Sequence, residues 1–194
     1  MICALVSLRR DRRGATILEF GLIIPVFALM CLGLFDLAHQ RYVRSVLNGA
    51  VQKAGRDSGL QTGITNAATI DQQVEGTVRR TIPTMTFTST RRAYQDFANI
   101  NQPEPFVDSN NNGTRDPGEC FQDINGNGTW DSSAGTAGQG GASDAVVYTA
   151  TVTYPHMFPV VNMLGMSSLV TMSSSTVLRN QPYANEAQPQ IICR

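Results

Sequence analysis

Gly14-Ala15-Thr16-Ile17-Leu18-Glu19-Phe20 opens the stretch that decides the fold. Four arginines, Arg9, Arg10, Arg12 and Arg13, precede it, and every residue from Phe20 to Phe35 is apolar, Gly or Pro. Extended back to Ala15, the run has 21 residues, about 31 Å as a helix and enough to cross a bilayer core. Basic residues on the N-terminal side place that end in the cytoplasm and send the remainder across. Glu19 is the one charge in the run, and a carboxylate in such a segment is expensive unless something answers it.

The residues leave three readings of the segment. A cleavable secretory signal would end in a small-x-small site, for which Asp36-Leu37-Ala38-His39-Gln40 is a weak candidate. An uncleaved anchor accounts for the apolar run but not for Glu19. A cut after Gly14 accounts for both, because it creates an α-amino group at Ala15, one helical turn from Glu19 on the same face. A buried carboxylate is tolerated when paired, within one chain or with a neighbour's amino terminus; a Glu hydrated at headgroup level is the plainer alternative. Pro25 removes a backbone donor and is expected to bend the helix.

Gly14, Glu19 and Phe20 together resemble the G-x-x-x-x-E-F/Y processing signal of type IV-related prepilins. The longer string GATILEFGLIIPVFALMCLGLFDLAHQ is similar to the N-terminal region of the TadE-like family, pseudopilins or minor pilins of tight-adherence (Flp) pilus systems. The likeness is strong over about residues 9–60 and weaker for the ending LRNQPYANE. It implies processing at Gly14, Ala15, Glu19 and Phe20 by a prepilin peptidase. It implies as partners other pilin or pseudopilin subunits, the pilus assembly machinery and membrane lipid. The implied location is the bacterial inner membrane, single-pass, with the N-terminus cytoplasmic and the C-terminal domain periplasmic or carried into a pilus. The 180 residues left after cleavage suit a minor component rather than the short major subunit.

The expected fold class is α+β: a long N-terminal transmembrane pilin-like helix packed on a small antiparallel sheet, with an Asn/Asp/Gly-rich loop insertion. The expected divisions are a leader at 1–14, a transmembrane helix at 15–38, a helix extension at 39–60 and an exported domain at 61–194. In the extension, Val43, Val46, Leu47, Ala50, Val51 and Ala54 recur at three- and four-residue steps, and Gly55 and Gly59 set an end near Ser58. A second helix is expected from Asn66 to Ile82, with Thr69 and Gln72 as a capping box and Pro83 as its stop. Met85–Thr88 reads as a short strand. Val146–Tyr154 reads as a better one, with Val146, Tyr148, Ala150, Val152 and Tyr154 on one face, and Ser168–Leu178 as a third. Between the last two, His156–Met166 is rich in apolar residues, suiting core packing or contact with the bilayer or a partner. His156 has no acidic neighbour in the sequence.

Residues 108–119, DSNNNGTRDPGE, place Asp108, Asn110, Asn112, Thr114, Asp116 and Glu119 at positions 1, 3, 5, 7, 9 and 12 of a calcium-loop pattern. Asp123, Asn125, Asn127, Thr129 and Asp131 repeat it, but position 12 is Ala134. Alternating oxygens on a tightly curved backbone suit calcium, giving possible calcium loops at 108–134. The copies lie too close for the helices of an EF-hand and look more like helix-free calcium repeats of extracellular proteins, such as thrombospondin type 3. An Asx-turn surface loop without an ion is the alternative. Cys120 and Cys193 are candidates for a disulfide, since an exported domain meets an oxidising space.

The chain's formal net charge is +0, and removing residues 1–14, with four arginines and one aspartate, leaves 11 basic and 14 acidic side chains. One lysine, Lys53, in a mildly acidic product argues against nucleic acid as a partner. No nucleophile with its base can be nominated, which argues against an enzyme. The rival function is an uncleaved single-pass membrane-anchored, calcium-dependent adhesive or binding module.

Overall fold

The computed structural model describes residues 13–58, 67–141, 143–158, 161, 165, 167–179 and 189–194. Of the expected leader, residues 1–12 lie outside these, as does the tail segment 180–188. Helix α1 runs Arg13–Ser58 as one continuous helix through Pro25. The chain forms two compact units: Met1–Tyr42 with Pro155–Val170, and Val43–Tyr154 with Thr171–Arg194.

In the first unit most of the described apolar side chains of α1 are exposed. Ile17 and Leu18 are each 75% exposed, and Phe20, Leu22, Phe27, Met30 and Phe35 are exposed as well. The helix is long and apolar enough to cross a membrane. Such a surface is stable only where the solvent is itself apolar. The polar exception is Asp36, which is buried and receives hydrogen bonds from Gln40 Nε2 (2.9 Å) and the Met157 amide (3.0 Å). Its Oδ2 also lies 2.5 Å from His156 Nδ1. His156 therefore has an acidic partner that its sequence neighbours did not reveal, because it comes from 120 residues away.

The second unit is a two-layer α+β domain. Helix α2 runs Ala67–Arg79, and the main sheet contains β1 (Thr86–Tyr94), β3 (Thr136–Ala137), β4 (Ala145–Pro155) and β5 (Leu169–Arg179), in the order β3-β1-β4-β5. Strands β1 and β4 pair antiparallel from Thr86↔Thr153 to Tyr94↔Ala145. Contacts between Thr153 and Thr171 and from the His156 amide to Ser168 step in opposite directions along the chain, so β4 and β5 are antiparallel too. A second, two-stranded sheet joins β2 (Cys120–Asp123) and β6 (Gln190–Cys193).

The core follows the two periodicities. Val43, Leu47, Ala50, Val51 and Ala54 on α1 are buried, as are Ile70, Val74 and Val78 on α2 and Val146, Tyr148, Ala150, Val152 and Tyr154 on β4. Each large apolar side chain so buried contributes about 1.5–3 kcal/mol. Gly55 lets α1 approach β5: a Cβ there would meet Thr176 Cγ2 at 2.9 Å. Across the layers, Arg91 of β1 donates both terminal nitrogens to Asp71 of α2 at 2.8 Å, and Tyr148 Oη donates to the same carboxylate at 2.8 Å. Arg91 lies directly opposite Tyr148 in the ladder, its guanidinium 4.6 Å from the ring centre.

Several boundaries differ from expectation. The second helix stops at Arg79, three residues before Ile82, because the Val78 carbonyl takes the amides of Thr81 and Ile82 in a turn and Arg79 Nη1 reaches the Pro83 carbonyl. Thr69 lies inside that helix and is not its N-cap, since a capping residue has a non-helical backbone. Strand β1 runs six residues past Thr88, its charged Arg91 being accommodated by Asp71. Strand β6 has no counterpart among the expected strands, and His156–Met166 is not packed throughout as core, for Met157 is 53% exposed.

Candidate functional site

Two regions carry the residues singled out by the sequence. At the first, Gly14, Ala15, Glu19 and Phe20 all lie within α1, so the Ala15 backbone and Glu19 are one turn apart, and Glu19 and Phe20 face outward from the chain. From Thr16 to Phe20 the side chains of this stretch are all exposed.

The second region is the pair of Asx-rich loops, and the structure shows them to be built alike. Asp108 accepts from the amides of Asn112 (3.1 Å, Oδ1) and Gly113 (2.7 Å, Oδ2), and Asp123 accepts from Asn127 (3.2 Å) and Gly128 (2.8 Å) in the same way. Asn110 Oδ1 accepts from the Asn112 amide at 3.1 Å, and Asn125 Oδ1 from the Asn127 amide at 3.0 Å. Asn112 Oδ1 takes both the amide and hydroxyl of Thr114, and Asn127 Oδ1 those of Thr129. Asp116 Oδ2 receives the side-chain amides of Asn110 and Asn112 at 2.7 Å, and Asp131 Oδ2 those of Asn125 and Asn127 at 2.6 Å. Gly113 and Gly128, at φ 76° and 77°, turn the chain where a side chain would be strained.

The loops differ in where their last carboxylate comes from. In the first, Glu119 Oε1 accepts from the Ser109 amide (2.8 Å) and Oε2 from the Asp116 amide (2.9 Å). In the second, Ala134 stands at that position, and Glu104 makes the equivalent bonds: Oε1 to the Ile124 amide (2.8 Å) and Oε2 to the Asp131 amide (3.1 Å). Glu104 is fully buried. Its backbone is fixed along the loop, with its amide donating to the Asp131 carbonyl (3.0 Å) and its carbonyl accepting from Trp130 Nε1 (2.9 Å). Each loop thus has three carboxylates, and Glu104 is the residue that the loop pattern missed. Its sequence signal is a lone acid between Pro103 and Pro105, which hold the chain extended.

Strand β2 leads directly from Glu119 to Asp123 and so joins the two loops. Cys120 and Cys193, opposite each other in the β2–β6 ladder, form a disulfide. The Arg194 carbonyl accepts from the Gly118 amide and from Arg115, closing the first loop from the other side. The donors are all carboxylate, amide and carbonyl oxygens, the kind a hard cation prefers. Among the described residues, no three His, Cys, Asp or Glu side chains converge closely enough to hold a metal by themselves.

No curated protein and no solved structure matches the chain. The family model described as TadE-like protein does match, over residues 14–56, beginning at Gly14 and ending within the last turn of α1. Over residues 14–56 the N-terminal helix of this chain is similar to the TadE-like protein family.

Proposed function

We propose that the chain is a minor pilin or pseudopilin that supports assembly of a tight-adherence (Flp) pilus used in surface attachment. The observation that carries this reading is the TadE-like match starting at Gly14, on a helix whose first turns are apolar, outward-facing and interrupted by one acid, Glu19. In this reading a prepilin peptidase cuts the Gly14–Ala15 bond on the cytoplasmic side of the bacterial inner membrane. The new ammonium at Ala15 then pairs with Glu19, of the same subunit or of its neighbour, and the pairing favours correct stagger as subunits add. The second unit stays on the far side of the membrane, and the role is structural rather than enzymatic. Counting pili by electron microscopy tests it. Deletion of the chain, or Glu19→Gln, is expected to reduce pilus number several-fold while membrane levels of the variant stay normal; unchanged pili would refute the role.

A second reading, an uncleaved anchor bearing a calcium-dependent adhesive module, is favoured by the two like-built loops. Calcium would be held by Asp108, Asn110, Asn112, the Thr114 carbonyl, Asp116 and Glu119 in one loop. In the other, Asp123, Asn125, Asn127, the Thr129 carbonyl, Asp131 and Glu104 would hold it. It would neutralise each set of three carboxylates and stiffen the loop. Calorimetric titration of the full chain in detergent should give two sites, falling to one in Glu104→Gln; no heat in the unsubstituted chain would remove calcium from the account.

A further inference from the structure

Resting on the reading of α1 as a membrane span, we infer that His156-Met157-Phe158 lies on the bilayer surface at the C-terminal end of that span, held there by Asp36. Thr16 to Phe35 is 20 residues, about 30 Å of helix and the thickness of the hydrocarbon core. Asp36 is the first polar residue beyond it. Both of its carboxylate oxygens are engaged, Oδ1 by the Met157 amide and Oδ2 by His156 and Gln40. The backbone at Met157 is therefore tied, 3.0 Å away, to the residue at which the span leaves the lipid. A helix end at the membrane boundary brings its hydrogen-bonded partners to the same depth.

The side chains around this point suit that depth. Met157, Leu37 and Tyr42 are each more than half exposed, although apolar or aromatic, and Arg41, next to Tyr42 in sequence, is exposed as well. An aromatic ring with a polar tip, a flexible thioether and an arginine are what the headgroup layer accommodates. The occupant is phospholipid, because the patch continues directly from the exposed surface of the span. Asp36 is thus a positioning residue: it converts a polar bond at the end of the helix into a second, shallow foothold.

The chain has one tryptophan, Trp130, so fluorescence can be read from a chosen site in a Trp130→Phe background. Full-length chain in phosphatidylcholine nanodiscs would carry either Phe27→Trp, inside the span, or Met157→Trp. With lipid brominated on its acyl chains, both probes should lose about twofold in emission, as expected for side chains reaching the acyl boundary. Quenching at position 27 but not at 157 overturns this inference and leaves the span intact, whereas quenching at neither overturns the span reading as well. Adding Asp36→Ala to Met157→Trp should restore emission; persistent quenching would show that Asp36 does not hold the segment. Quenching that disappears as copies per disc increase would assign the patch to a second copy of the chain and overturn lipid as the occupant.

Discussion

The two halves of α1 obey the same helical geometry and solve opposite problems. From Thr16 to Phe35 the side chains, Thr16 and Glu19 apart, are apolar on every face and mostly exposed; from Val43 to Ala54 only one stripe is apolar, and most of it is buried. The first half depends on the surrounding medium, so composition matters and phase along the helix does not. The second half depends on particular neighbours, so a shift of one residue would turn its stripe away from the core. One uninterrupted helix can therefore be membrane element and domain core in succession.

Substitutions that exchange the demands of the two halves should behave asymmetrically. The largest effect is expected at Leu47, fully buried in the domain: Leu47→Ala should cost about 3–4 kcal/mol of domain stability. Leu18→Ala should change it by less than about 0.5 kcal/mol. Denaturant unfolding in detergent micelles, followed by domain fluorescence, reads both. Equal losses at the two positions would erase the distinction. The reverse asymmetry applies to charge. Ile24→Arg should cost about 3 kcal/mol of membrane insertion and release the chain on alkaline extraction, while an arginine at exposed Gln52 should leave insertion unchanged.

A third test concerns the contacts that close the domain beyond its apolar stripe. Burial pushes the Asp71 carboxyl up, but hydrogen bonds from Arg91 and Tyr148 and the Arg91 charge outweigh it and hold the group below its ordinary value. Burial and the Asp71 carboxylate push the Tyr148 phenol above its usual range. A depressed carboxyl stabilises the fold above its unfolded pKa and loses that contribution as pH falls through the folded value. Asp71→Asn should therefore cost about 2 kcal/mol near neutral pH. The gap from the unsubstituted chain should close below about pH 4. A pH-independent gap would show that the pair acts through packing rather than charge. A loss comparable to that at Asp71 is expected at Glu104: Glu104→Gln, at a fully buried position, turns an amide donor toward the Ile124 or Asp131 amide and should cost about 2 kcal/mol. No change in melting temperature would mean that loop 2 holds its shape without Glu104.

The same contrast explains what could be read before the structure. The α1 span is legible from its unbroken apolar composition, and the Val43–Ala54 stripe and the buried face of β4 from their fixed periods, as is the long helix on a small sheet. Strand β1 was cut short because Arg91 and Arg92 look like solvent residues, and only the distant Asp71 makes an inward arginine acceptable. Strand β6 is four residues long and exists through its pairing with β2, which no local pattern announces. Glu119 was legible because it sits inside its loop. Glu104 was not, because it arrives from 19 residues before Asp123. His156 and Asp36 meet across 120 residues for the same reason.

The most direct test of the account is the N-terminal mass of the chain extracted from native membranes. A polypeptide beginning at Ala15, reverting to full length when the prepilin peptidase is absent or Gly14 is replaced, is the predicted result. Recovery of intact Met1 from wild-type membranes would contradict it and leave α1 as an ordinary anchor.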